Sequence, residues 1–191
     1  MINFFLRAKH WQLFMLAFGV PILIQIFMIM GGIFSVATDT DFLVFSYATV
    51  FPIMMILNIG TLFGWFWSVA TGIQHQVPPQ IKMSVTKFKI FFFVPVMYLV
   101  CILIVLGFLM GGEFNDDKST LAGFIGLFIL LHLISMFCIF YCLYFVAKTL
   151  RTVELQREVF FHDFAGDFFL IWFYPIGFWI IQPRVNKLFE G

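Results

Sequence analysis

Charge is what this chain has least of. Only 11% of its 191 residues are Asp, Glu, Lys or Arg, against about 25% in an average soluble domain. Hydrophobic residues make up 62% and aromatic ones 21%, with 30 Phe. So few charges could not cover that many rings in water, which excludes a soluble globular fold. The same composition excludes a disordered chain. Net charge is +1, so the basic footprint of a nucleic-acid-binding domain is missing.

Cysteine and histidine are equally thin. Cys101, Cys138 and Cys142 lie inside apolar runs and form no Cys-x-x-Cys pair, unlike the paired cysteines of a four-helix thiol oxidase. Four histidines are too few for a membrane di-iron oxygenase. Only His132 sits mid-span, where a two-haem bundle needs pairs. No Gly-x-Ser-x-Gly, His-Glu-x-x-His or phosphate-cradling glycine loop occurs. The sequence therefore predicts no cofactor, no bound metal and no nucleic-acid partner.

Long apolar runs are present in their place. Four of them, roughly 11–34, 43–70, 88–112 and 121–147, are each long enough to cross about 30 Å of hydrocarbon. The first is too long for a signal-peptide core and is expected to remain as an uncleaved span. The expected fold is an all-α integral membrane protein, one membrane domain over residues 1–191. It comprises four transmembrane helices, a cytoplasmic helix over 148–167 and a short C-terminal hairpin over 168–182. That last segment is short for a span, has basic residues on both sides and carries Pro175-Ile176-Gly177 at its centre. It reads as a re-entrant or interfacial hairpin turning at that tripeptide, with a tilted fifth span as the alternative.

Ten of the eleven Lys and Arg residues fall on one side of this layout, and only Lys118 on the other. The opposite connections hold Asp39, Asp41, Glu113, Asp116 and Asp117. The positive-inside rule then puts both termini in the cytoplasm of a bacterial inner-membrane protein.

Candidate functional residues are few. His132, Asn58, Thr61, Gln25 and Ser135 are polar groups inside the spans, where such groups are costly. His132 is expected to face the bundle interior and bond to a polar partner, with Asn58, Thr61 and Gln25 as candidates. Gly60, Gly64, Ser68 and Gly72 recur every four residues and form a smooth ridge for a closely packed helix. Phe160, Phe161, Phe164, Trp172 and Trp179 are apolar groups on the cytoplasmic side and are expected to touch a partner or the membrane. Glu154, Glu158 and His162 would share one helix face, expected to be a solvated one. Arg157-x4-His162 has the spacing of the HEPN-type ribonuclease motif, without its soluble helical domain.

The opening Arg7-x-Lys9-x-Trp11, and the ending Phe169-Leu-Ile-Trp172-x-x-Pro175-Ile-Gly177-x-Trp179-x-Ile-Gln182-Pro183-Arg184, resemble small polytopic bacterial membrane proteins of no characterised family. The resemblance brings no activity and no site residues. The function expected from these readings is a non-enzymatic accessory or anchoring subunit acting through its cytoplasmic face. The expected partners are the lipid bilayer and either copies of itself or a larger membrane complex. An oligomeric channel for ions or a small solute is the alternative. A small intramembrane enzyme or nuclease-like effector is a more remote one.

Overall fold

The computed structural model describes residues 2–38, 42–110 and 118–190. The acidic connections around Asp39, Asp41 and Glu113 to Asp117 lie outside the described residues. Every regular element among the described residues is helical: α1 (Ile2–Arg7), α2 (His10–Phe14), a π-helical turn at Met15–Gly19, α3 (Val20–Thr38), α4 (Phe42–Gly72), a 3-10 turn at Gln74–Gln76, α5 (Val85–Met110), α6 (Lys118–Leu155), α7 (Phe161–Trp172) and α8 (Tyr174–Glu190).

Four stretches are long and apolar enough to cross a membrane: His10–Ser35, Val50–Gln76, Val85–Val105 and Ile125–Leu155. No more than 28% of any of their apolar windows is buried in the protein. Helices this apolar need a non-aqueous medium over the remaining surface, as a membrane protein has.

The chain forms two compact units. The first joins residues 1–82 to 146–191, and the second holds 83–145. In the first, α1 folds back across the end of α4. Gly64 and Gly72 permit this: a Cβ at Gly64 would lie 2.6 Å from the Phe5 ring, and one at Gly72 would meet Leu6 and Ile2. Ser68 keeps the ridge smooth by bonding its hydroxyl to the Gly64 carbonyl (2.7 Å), while Gly60 faces open space. The core beneath is Trp65, Phe66, Ile73, Leu150, Phe164, Phe178 and Ile181, all fully or almost fully buried.

In the second unit α5 and α6 meet through rings. Phe88 stacks on Phe145 with centroids 5.0 Å apart, and Phe91 meets Tyr141 at 4.4 Å.

Two expectations need correction. The continuous helix over 148–167 is two helices. α6 stops at Leu155, and Gln156 takes a left-handed φ of 50°, costly for a residue with a Cβ. Its side chain offsets that cost by donating to the Val153 carbonyl (2.7 Å) and the Gln76 carbonyl (3.1 Å). The break separates Glu154 from Arg157, which do not pair. Arg157 instead grips Asp163 (2.8 Å), whose carboxylate also accepts the Phe160 N–H (2.9 Å) and so starts α7.

The second correction concerns the C-terminal turn. It falls at Phe173, not at Pro175-Ile176-Gly177. Pro175 occupies the first turn of α8, where its missing N–H removes no helical bond. Gly177 serves the turn differently. A Cβ there would overlap the Leu170 carbonyl oxygen, so only glycine lets α8 leave α7 at this angle.

Candidate functional site

α8 runs beside α4, and three polar contacts give its register. Tyr174 donates its hydroxyl to Asn58 Oδ1 (2.9 Å), Trp65 donates its indole N–H to Gln182 Oε1 (2.6 Å), and Gln76 donates to the Leu188 carbonyl (2.7 Å). The α7–α8 tip therefore lies level with Asn58, near the middle of α4. Gln156, in the link that leads into α7, and Leu188, near the end of α8, both come back to Gln76.

Gln182 is fully buried and fully used. An indole N–H can only donate, so the amide oxygen must face Trp65. The amide nitrogen then donates to the carbonyls of Phe5 (2.9 Å) and Ala8 (2.8 Å). The Phe5 carbonyl is one that α1 leaves without a helical partner at its end, and Ala8 is the residue that follows the helix. One turn on, Asn186 donates to Leu6 (2.9 Å) and Ala8 (3.2 Å). Two amides four residues apart thus tie the last helix to the first.

An ionic node sits beside this seam. Arg184 donates from Nε to Glu154 Oε1 (2.6 Å) and from Nη1 to Asp167 Oδ1 (2.5 Å), with further bonds from Nη2 to both carboxylates. Arg151 adds a bond to Glu154 (3.1 Å). The fork of one guanidinium thereby joins α6, α7 and α8. The hydrogen bonds to Glu154, then those to Asp167, push the Arg184 pKa still higher against the cost of burial. This cation stays charged at every accessible pH.

A third polar site lies higher on α4. Pro21 has no N–H, so the Ala17 carbonyl loses its α-helical partner, and the chain passes through the π turn with Val20 bonding back to Met15. Asn58 Nδ2 fills the gap by donating to Ala17 (2.8 Å) while its oxygen takes the Tyr174 hydroxyl. Beside it a groove of about 360 Å³ opens between α3 and α4. Pro21, Gln25, Phe51, Met55 and Asn58 are among the residues lining it.

The expected polar residues are therefore distributed over separate places. Asn58 and Gln25 share the groove. Thr61 bonds within its own helix to the Leu57 carbonyl (2.6 Å). Ser135 is buried, with a hydroxyl that finds no partner among the described residues. His132 bonds to a polar group, as expected, but to none of the three candidates, and it does not face the interior. Its Nδ1 lies 3.1 Å from the Tyr98 hydroxyl of α5, within the second unit, and the residue is exposed.

The aromatic set also divides. Phe164 is fully buried, so it is not available to a partner or to lipid, contrary to expectation. α7 turns that residue inward, whereas Phe160 at its start is 64% exposed. Phe161 and Trp172 are exposed too. Trp179 has an exposed ring whose centroid lies 4.6 Å from that of His10.

Glu154, Glu158 and His162 do not share a face, because the chain breaks between them. Glu154 faces Arg184, and the His162 side chain is solvent-exposed. Tyr98, Trp65, Gln182, Asn186 and Asp167 make contacts that no sequence pattern assigns to them. The signal available was a pair of amides spaced four apart on the last helix and one carboxylate in an apolar run.

No family model, curated protein or solved structure matches this chain.

Proposed function

We propose that the protein is a non-enzymatic component of a bacterial inner membrane, an anchoring or accessory subunit with both termini in the cytoplasm. In this reading α7 and α8 form a re-entrant hairpin that enters the inner leaflet and returns. The observation that carries it is that the link leading into α7 and the end of α8 both return to Gln76, with the tip held at Asn58. The Lys and Arg asymmetry supports the orientation. The chemistry of the seam supports a structural role: Gln182, Asn186, Arg184, Glu154 and Asp167 are engaged with one another or with backbone. Phe160, Phe161 and Phe173 are left on the outside of the hairpin, more than half exposed, and supply an apolar surface for leaflet or partner.

The test is extraction in mild detergent followed by native mass spectrometry. The expected result is a protein retained with copies of itself or with a second membrane protein, and released from it by the double change Phe160→Ser, Phe161→Ser. Glu158→Ala and His162→Ala should leave that association intact. Loss of association through Glu158 or His162 alone, with the phenylalanine changes silent, would overturn the reading.

A further inference from the structure

The α3–α4 groove carries an inference that does not depend on how the hairpin meets the membrane. It lies within two of the membrane-length apolar stretches, His10–Ser35 and Val50–Gln76. Its volume, about 360 Å³, falls at the lower end of the roughly 300–1,000 Å³ typical of small-molecule sites. Pro21 and the neighbouring π turn stand at its wall, so the departure from regular helix there has a place in the groove's shape.

The lining is selective in its chemistry. It offers the phenyl rings of Phe18 and Phe51, the thioethers of Met54 and Met55, and two amides. The Asn58 amide is committed to Ala17 and Tyr174. The Gln25 amide is half-buried and has no hydrogen-bond partner among the described residues. An amide at that depth in hydrocarbon is costly until it meets a polar group.

A phospholipid does not supply that group, because its ester and phosphate oxygens stay at the interface. Counted along the helix at 1.5 Å per residue, Gln25 is about 24 Å from Lys9 and about 15 Å from Ser35, so it lies inside the apolar stretch from either end. The complementary ligand is a planar ring that bears a carbonyl on a long apolar tail. We propose that the groove binds an isoprenoid quinone, with the Gln25 Nε2–H donating to a ring carbonyl. The rings and thioethers of Phe18, Phe51, Met54 and Met55 would pack on its faces. Only binding is proposed, and no electron transfer.

The experiment uses the full chain in lipid nanodiscs with an azido derivative of a short-chain ubiquinone. After illumination, labelled peptides are located by mass spectrometry, with unlabelled decylubiquinone as competitor. Label is expected in 17–25 and 51–59, removed by decylubiquinone and not by added phospholipid. Gln25→Leu should weaken the competitor about fivefold, the loss of one hydrogen bond. Met55→Trp, which fills the groove, should abolish labelling at an unchanged melting temperature. Label spread evenly along the spans would overturn the proposal. So would equal competition by phospholipid, or covalent links between two copies through the groove. A Gln25→Leu variant that binds as well as the parent would also contradict it.

Discussion

The two compact units hold themselves together by different means. In the first, elements far apart in sequence are joined by directional bonds: Trp65 to Gln182, Gln182 to Phe5, Arg184 to Glu154 and Asp167. In the second, α5 and α6 meet through ring pairs such as Phe91–Tyr141 and through the Tyr98–His132 bond. Ring contacts reward area and tolerate sliding. A buried amide or guanidinium rewards one geometry and penalises the rest. The first unit should therefore be position-specific and intolerant of substitution, and the second forgiving.

The largest effect should come from Gln182→Leu. It strands the Trp65 N–H and the Phe5 carbonyl in a fully buried place, and a loss of about 4 kcal/mol is expected at roughly 1–3 for each unpaired group. Thermal melting in detergent would read this as early loss of the fold, and a variant within 1 °C of the parent would break the comparison. Arg184→Ala comes next, at about 3 kcal/mol. It leaves two largely buried carboxylates facing each other, and partial solvent access to Arg184 keeps the cost at the low end for a broken ion pair. Melting of this variant should improve when Asp167→Asn is added.

Gly177→Ala should cost about 2 kcal/mol through its overlap with the Leu170 carbonyl, as overpacking against backbone does. In the second unit, Tyr98→Phe should cost only about 0.6 kcal/mol, the usual worth of a hydrogen bond between membrane helices. Equal losses for Tyr98→Phe and Gln182→Leu would erase the distinction between the units.

The smallest effect is one of pH. The Arg157 guanidinium and the Phe160 N–H hold the Asp163 carboxyl below its ordinary value of 3.8. A lowered folded-state pKa stabilises the folded form above the unfolded value and loses that contribution as pH falls through the folded one. The start of α7 should thus be unaffected from neutral pH down to about 4 and should loosen only below it. Hydrogen exchange of the 160–164 amides across that range would check it. Loosening already at pH 6 would contradict the assignment.

How much of this was legible in the sequence follows from the same distinction. The four apolar runs announce themselves, since length and hydropathy are local properties. So does the small-residue ridge of α4, although nothing in it says that α1, only six residues long, is the helix that lies against Gly64 and Gly72. The seam was not legible. Gln182 lies 117 residues from Trp65 and 177 from Phe5, and no periodicity reports a pairing at such separations. Pro175 misled because proline marks a turn and the first turn of a helix equally well, and only the Gly177–Leu170 approach decides between them. Gln156 misled because a non-glycine residue with positive φ has no sequence signature beyond a side chain able to bond back.

In the proposed topology α7 and α8 enter and leave on the side of the membrane that holds both termini. A membrane-impermeant maleimide on intact cells tests it directly, with single cysteines at positions 39, 82 and 187 in a chain whose Cys101, Cys138 and Cys142 are replaced by Ser. In that topology position 39 is labelled in intact cells, and positions 82 and 187 only after the membrane is opened. Labelling of position 187 from outside, with 82 still protected, would make 161–190 a fifth crossing and rule that topology out.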